Sequence, residues 1–93
     1  MSRPLATEST FRALADPTRR RILEILRTHD RTAAEIAAEF SLSWPTISSH
    51  LRVLRGTGLI SQRRTGRRRQ YTLHAQGLRT AATYLQPFIK LWR

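Results

Sequence analysis

Residues 43–54 read Ser-Trp-Pro-Thr-Ile-Ser-Ser-His-Leu-Arg-Val-Leu, and this stretch decides the fold. Ser43 is a good helix N-cap, and Pro45 falls in the first turn, where its missing N–H breaks no hydrogen bond. Apolar residues then recur at the i, i+4, i+7 spacing that marks one side of a helix: Ile47, Leu51 and Leu54. The stretch therefore predicts a helix from about Trp44 to Arg55 with one buried side.

The opposite side of this helix is polar and carries no acidic residue. Small hydroxyls allow close approach to nucleic acid, and Arg can form a bidentate contact with guanine. At about 100° per residue, His50 falls near the buried side, so it is either a packed, hydrogen-bonded residue or a base reader. Trp44 is either a DNA contact or a cover for the core. The candidate DNA-contacting residues of this stretch are Ser43, Trp44, Thr46, Ser48, Ser49, His50 and Arg52.

Three more helices are predicted upstream. Glu8–Leu14 is compatible with a short first helix, and Asp16-Pro17 is an N-cap followed by proline at the first helical position. That second helix should end near Thr28. Thr32 and Glu35 have capping-box spacing, which predicts a third helix from about Ala33 to Phe40. The third and fourth helices, joined by a brief turn, are typical of a helix-turn-helix.

The pattern changes after the fourth helix. Leu59–Arg64 and Arg68–Leu73 can each be extended, and residues 65–67 between them form a short glycine-containing turn, which indicates a β-hairpin. The predicted fold is thus mainly α with a small β-hairpin, a winged helix-turn-helix of order α-α-α-α-β-β-α. In that arrangement the ribbon reaches the DNA backbone or the minor groove. Five arginines surround the hairpin tip: Arg63, Arg64, Arg67, Arg68 and Arg69.

Residues 75–92 are predicted to form a last helix, which Pro87 should kink or end locally. Its apolar stripe is wider than the preceding 70 or so residues are expected to cover, so we expect it to form a homodimer interface. The interface candidates are Leu78, Ala82, Leu85, Phe88, Ile89 and Trp92.

The charge distribution indicates a polyanionic partner. The net charge is +11, and residues 40–93 hold ten basic residues and no acidic residue. On the second predicted helix, residues 19–21 are all arginine; we expect a solvated helix face there, with phosphate contact as the alternative. A non-specific nucleoid or RNA-binding protein remains an alternative to a sequence-specific one, and a protein-interaction module is a weaker one.

Several classes of protein are excluded. The chain has no Cys, so disulfide scaffolds and thiolate metal sites are ruled out. Uninterrupted apolar runs never exceed three residues, which argues against a membrane span. Ser48, Ser49 and His50 are adjacent, and helical spacing splays neighbours apart, so they form no catalytic triad. We expect no enzyme activity, no cofactor, no metal site and no membrane partner.

Two motifs resemble a known family. Leu14-Ala-Asp-Pro-Thr-Arg-Arg-Arg-Ile-Leu23 is similar to the opening motif of the arsenic-repressor-type (ArsR) winged-helix regulators of bacteria. Residues 43–54, followed by Gly58-Leu-Ile60, resemble their recognition helix, and Arg63–Leu73 resembles their wing. The metal-independent autorepressor branch is the most similar, because of the aromatic last helix around Tyr84, Pro87-Phe88 and Trp92. Metal sensors of the family use a Cys pair around the helix before the recognition helix, or carboxylate and His ligands on the last helix. This chain has no Cys, and residues 75–93 contain no Asp, Glu or His.

The length predicts a single domain over residues 1–93. The resemblance implies a cytoplasmic regulator of the bacterial nucleoid. Such a protein is a homodimeric, sequence-specific repressor that binds double-stranded DNA at an inverted-repeat operator. The first and last helices, about 8–14 and 75–92, would form its dimer interface. Any effector remains unknown from the sequence.

Overall fold

The computed structural model describes residues 6–92. In this range the chain forms five α-helices and three strands, joined by short connections. The elements are α1 (Ala6–Leu14), α2 (Pro17–Leu26), β1 (Arg31–Thr32), α3 (Ala33–Ala37), α4 (Trp44–Gly56), β2 (Ile60–Thr65), β3 (Arg68–Leu73), a 3₁₀ turn (Ala75–Leu78), α5 (Arg79–Ile89) and a second 3₁₀ turn (Lys90–Trp92). The predicted fold class, a mainly helical winged helix-turn-helix, is confirmed.

Side-chain caps begin three of the helices, as the sequence predicts. Asp16 accepts a backbone N–H at 3.0 Å at the start of α2. At α3 the capping box is complete, because Glu35 accepts the Thr32 N–H at 2.8 Å and Thr32 accepts the Glu35 N–H at 3.2 Å. Ser43 caps α4. These caps satisfy N–H groups that have no partner inside the helix.

Two helices end earlier than predicted. α2 ends at Leu26 rather than near Thr28, and α3 ends at Ala37 rather than Phe40. In both cases the last turn tightens into bonds between residues three apart, such as Phe40 N–H to Ala37 C=O at 3.1 Å. Such tightening is common where a helix runs out into a turn.

The sheet has a strand that the sequence pattern does not reveal. Its antiparallel order is β1-β3-β2, so the ribbon gains a third strand of two residues, Arg31 and Thr32. The predicted hairpin turn is also corrected. Thr65 pairs with Arg68, so the turn is the two residues 66–67, and Gly66 supplies the positive φ of 63° that it needs.

The last helix differs in its first turn. Residues 75–78 form a 3₁₀ turn rather than α-helix, and the α-helical part begins only at Arg79. The helix then continues through Pro87 and changes to a 3₁₀ turn after Ile89, two residues beyond the proline. No helix in the described part of the chain is both long enough and apolar enough to cross a membrane.

The core lies between helices α2–α4 and the inner face of the sheet. The sheet contributes Ile60 and Tyr71, each 2% exposed. Beside this core α1 packs against α5, where the Phe11 and Tyr84 rings meet edge to face with centroids 5.6 Å apart. The largest fully buried side chains are Ile22, Ile36, Ile47, Leu51, Leu54 and Leu59.

Candidate nucleic-acid interface

Helix α4 has one buried side and one exposed side. Its apolar side is fully packed, and the residues predicted to face outward do so. Five of the seven candidates are exposed and two are half-buried, so a largely polar surface without acidic groups faces away from the core. The exposed residues are Ser43, Trp44, Thr46, Ser49 and Arg52, and the half-buried ones are Ser48 and His50.

The start of α4 carries a hydroxyl pair. Ser43 Oγ lies 2.9 Å from Thr46 Oγ1, and it also accepts the Thr46 N–H at 3.4 Å. Both residues are exposed. Whichever hydroxyl donates within the pair, the other keeps its own O–H free to donate outward. The cap of the helix thus also presents a hydrogen-bond donor to a ligand.

His50 does not share the exposed side of α4. Its Nδ1 lies 3.3 Å from Nη1 of Arg19 and 3.8 Å from Oδ2 of Asp16, and its side chain is 17% exposed. These contacts are with the start of α2. Of the two alternatives that the sequence leaves open, the packed and hydrogen-bonded one corresponds to this position.

Asp16 itself is held in its charged form. Partial burial would raise the pKa of this carboxyl, but the Arg19 backbone hydrogen bond and the positive charges of His50, when it is protonated, and of Arg19 outweigh that effect. The pKa therefore lies below its ordinary value, so an anionic cap faces the imidazole of α4.

The wing arginines divide between the two faces of the ribbon. Arg64 and Arg69 are directly opposite each other, on the face that carries buried Ile60 and Tyr71 further down. Arg63 and Arg68 lie on the other face, and Arg67 lies in the turn. All five are exposed, and none of them has a carboxylate partner among residues 6–92. Cationic neighbours without anions repel one another unless a polyanion binds.

An open groove of about 680 Å³ lies between the wing tip and the start of α3. Trp44, 43% exposed, is one of the residues that line it. The α3 side of the groove is formed by residues 32–35, which the sequence indicates only as a capping box. Their part in this surface depends on the fold bringing α3 to the wing. The basic side of the groove is lined by Arg67, Arg68 and Arg69.

Glu35 gives this groove one anionic group. Hydrogen bonds from the backbone and the side chain of Thr32 lower the pKa of the Glu35 carboxyl below its ordinary value. The carboxylate therefore stays ionised at neutral pH and is committed to the cap of α3. The wing side of the groove is therefore cationic, and the carboxylate on its α3 side is engaged in the N-terminal cap of that helix.

Comparison with known proteins identifies the family. Residues 16–62 match the family model described as "Bacterial regulatory protein, arsR family". These residues run from the N-cap of α2 into β2, and so include the whole helix-turn-helix. The chain belongs to the arsR family. It is a DNA-binding transcriptional regulator and not an enzyme.

Individual relatives cover nearly all of this arsR-family protein. It is 40% identical over 81 residues to the transcriptional repressor SdpR of Bacillus subtilis (strain 168), covering 87% of this chain and 90% of SdpR. It is 38% identical over 88 residues to the HTH-type transcriptional regulator Rv2034 of Mycobacterium tuberculosis, covering 95% and 82% of the two chains. The crystal structure of the ArsR family transcriptional regulator RHA00566 superposes with a TM-score of 0.85 at 30% identity, over 98% and 94% of the chains.

The predicted dimer residues lie along α5 and its flanking turns. Three of them, Leu78, Leu85 and Ile89, are half-buried within the protomer, while Ala82 is exposed. The aromatic members project furthest, with Phe88 46% and Trp92 75% exposed. Neighbouring Tyr84 and Leu91 extend this exposed apolar face of the arsR-family protein.

Metal-ligating side chains are scattered in this arsR-family protein. Among residues 6–92, no three His, Asp or Glu side chains come close enough together to hold a metal ion. His29, His50 and His74 lie on separate parts of the fold, and His74 Nε2 is within 2.9 Å of the Ser61 hydroxyl.

Proposed function

We propose that this arsR-family regulator is a homodimeric repressor that binds an inverted-repeat operator through α4 and the wing. The proposal rests on the observation that two candidate DNA-binding surfaces are both exposed to solvent. One is the polar side of α4, and the other is the set of five wing arginines that have no carboxylate partner in the described chain. A helix enters the major groove of B-DNA, about 12 Å wide, and basic side chains beside it contact phosphates.

The two surfaces have different tasks in this proposal. Thr46, Ser49 and Arg52 read base edges, since they are exposed and lie on or beside the side of α4 opposite its buried residues. The Ser43–Thr46 hydroxyl pair offers its free O–H to a phosphate or a base. The wing arginines contact the backbone and contribute affinity for any sequence. Trp44 contacts DNA at the edge of the groove that it lines with the wing tip.

The exposed apolar face of α5 supports a homodimer. Tyr84, Phe88, Leu91 and Trp92 together present large apolar side chains on one small protein, and such patches commonly mark interfaces. Because α1 packs on α5, both helices would lie at this interface. Two-fold symmetry then requires an inverted repeat, with half-sites about 10 base pairs or a multiple of that apart.

The competing function is a non-specific nucleic-acid protein, and measuring binding to two kinds of DNA separates the two. Genome-wide mapping of bound sites supplies the operator. Fluorescence anisotropy at one fixed salt concentration then compares that operator with a random duplex. We expect at least about 10³-fold preference for the operator. Equal affinity for the two duplexes would refute sequence-specific repression and favour the non-specific alternative.

Arg52 and Arg55 form a matched pair for locating base recognition. Both are exposed arginines of α4, but the side chain of Arg55 donates a hydrogen bond to Gln62 Oε1 of the wing. Arg52→Ala should weaken operator binding by about 1–3 kcal/mol and random-duplex binding much less. Arg55→Ala should change the two affinities by similar amounts. If Arg52→Ala also weakens both equally, Arg52 contacts phosphate, and Thr46 and Ser49 are left as the readers.

We also propose that the protein works in the cytoplasm on the nucleoid and that no metal controls it. Tight binding of one zinc or arsenite ion per subunit, together with loss of operator binding, would contradict the second statement.

A further inference from the structure

One arginine of α2 joins two other helices. The Arg19 Nε donates to the carbonyl of Ala13 at 2.7 Å, and Nη2 donates to the carbonyl of Arg12 at 3.0 Å. These carbonyls belong to the last turn of α1, whose C=O groups have no partners within that helix. The remaining arm, Nη1, lies 3.3 Å from Nδ1 of His50 on α4. A single planar guanidinium therefore caps α1 and contacts the recognition helix.

The chemistry of this contact requires one tautomer of the histidine. A guanidinium has only donors, so a hydrogen bond from Arg19 needs the neutral ring in which Nδ1 accepts and the proton lies on Nε2. Arg19 is itself held at its backbone, because its N–H donates to Asp16 Oδ2 at 3.0 Å. Asp16 Oδ2 also lies 3.8 Å from the imidazole. Hydrogen bonds thus fix both the backbone and the guanidinium of Arg19, so the side chain has little freedom to follow a shift of α4.

We propose that Arg19 is a positioning residue that, through His50, sets the place of α4 relative to α1 and thereby the half-site spacing that the dimer accepts. This inference rests on the proposed homodimer and inverted repeat. It adds a specific residue that would act through its bonds to α1 and His50 rather than through a contact of its own with DNA or the partner.

The reason is geometric. Adding one base pair between half-sites moves the second half-site by about 3.4 Å along the DNA and rotates it by about 35° around the axis. A recognition helix tied to α1 cannot make that adjustment relative to a dimer interface formed by α1 and α5. Without the tie, α4 is still folded by Ile47, Leu51 and Leu54, all buried, but it can tilt to follow the shifted site.

Arg20 provides a matched control. Its Nη1 donates to the carbonyl of Leu14 at 2.7 Å, so it also caps α1, and its replacement removes the same charge from the same helix. No hydrogen bond joins Arg20 to α4 in the described structure. Arg19→Gln and Arg20→Gln therefore differ in the contact with His50 and in the number of α1 carbonyls that are capped, two for Arg19 and one for Arg20.

Substitutions of His50, the residue that Arg19 contacts on α4, provide a second set of variants. In His50→Asn, the amide oxygen occupies about the position of Nδ1 and can still accept from Arg19. His50→Leu removes the acceptor and keeps the volume of the side chain roughly constant. Because this series leaves Arg19 and its caps in place, it tests the proposal even if Arg19→Gln fails to fold.

The experiment measures the affinity of each variant for the operator and for operators with one base pair added or removed at the centre. Thermal unfolding followed by circular dichroism checks that each variant is folded. We expect the affinity for the altered operators to be about tenfold or more below that for the original operator in three proteins: the unaltered protein, Arg20→Gln and His50→Asn. In Arg19→Gln and His50→Leu this difference in affinity should be less than about threefold, mainly because these variants bind the altered operators better.

The outcomes are distinguishable. If the unaltered protein shows no spacing preference, the proposed dimer on an inverted repeat is wrong, and this inference falls with it. If it shows the preference and folded Arg19→Gln and His50→Leu keep it, the inference alone is overturned. Equal loss of the preference in His50→Asn and His50→Leu also overturns it, because the effect would then not depend on the hydrogen bond.

Discussion

The backbone of Gly77 packs directly on that of Gly58. A Cβ atom at position 77 would lie 2.5 Å from the carbonyl oxygen of Gly58 and 3.0 Å from Leu59 Cδ2. Gly58 lies in the connection between α4 and β2, with a positive φ of 77°, and Gly77 lies in the 3₁₀ turn before α5. The contact therefore joins the end of the recognition helix to the start of the proposed dimer helix through main-chain atoms, which cannot move aside as a flexible side chain does.

Gly77→Ala should destabilise the protein because the new methyl group must displace backbone. We expect a loss of about 1–3 kcal/mol in the free energy of unfolding, as for other overpacked sites. Gly56→Ala is the control, since nothing lies within 4 Å of a Cβ there and the residue is helical with no positive φ. It should be neutral or stabilising by up to about 1 kcal/mol. Urea unfolding followed by circular dichroism compares them, and similar values for both would show that the contact is not tight.

Asp16→Ala should remove both the cap and the charge at the start of α2, at a cost of about 0.5–2 kcal/mol near neutral pH. Asp16→Asn keeps a capping oxygen and should lose less. The carboxyl pKa is lowered on folding from 3.8, so its charge stabilises the fold above about pH 4 and stops doing so as the pH falls through the lowered value.

The stability difference between the unaltered protein and Asp16→Asn should therefore shrink on acidification from pH 7 to pH 3. Thermal unfolding across that range measures it. A constant difference would mean that the charge of Asp16 contributes nothing and that only the capping oxygen matters.

Replacing Arg67 and Arg68 together by Ala should weaken the dependence of DNA affinity on salt. If a dimer neutralises about 8 phosphates, the log–log slope is roughly −7, and the double variant should flatten it by about one unit or more. Sequence preference should stay nearly intact. Arg20 on α2 and Arg27 directly after it, both exposed, provide a control double variant with equal loss of charge. An unchanged slope in the wing variant alone would show that the wing tip does not meet the backbone.

Phe88→Glu combined with Trp92→Glu should dissociate the proposed dimer, because it places four charges in one symmetric apolar interface. Sedimentation at micromolar concentration should then detect monomers. Gln86→Glu adds a charge to an already polar, exposed position of the same helix and should leave the assembly unchanged. A persistent dimer in the double variant would move the interface away from this face of α5.

Local features of the sequence were enough to predict most of the fold. The caps at Asp16, Thr32 and Ser43 involve groups only three residues apart, so their patterns are visible without tertiary information. The strand Arg31–Thr32 is different, since two residues are too few to show alternation and their partners, Tyr71 and Gln70, lie far along the chain. Pairing with β3, rather than the local conformational preference of its two residues, makes this segment a strand.

In the candidate site, too, some residues could be predicted from the local sequence and others depend on tertiary packing. Helical periodicity predicts the exposed residues of α4, and the density of arginine predicts the wing. Arg19, expected on a solvated helix face, is instead half-buried and joins α1 to His50. Nothing within the run of three arginines distinguishes Arg19 from Arg20 and Arg21. Only the packing of α1 and α4 around the start of α2 does so.

The wing is also an open edge of a sheet. β2 is an outer strand in the order β1-β3-β2, and such a strand presents unpaired N–H and C=O groups to which another molecule can add a strand. Arg63 and Arg64 sit on that strand, and cations at an edge oppose such growth. The arginines therefore protect the free protein from aggregation through its wing. Neutralising them would cost solubility as well as DNA affinity.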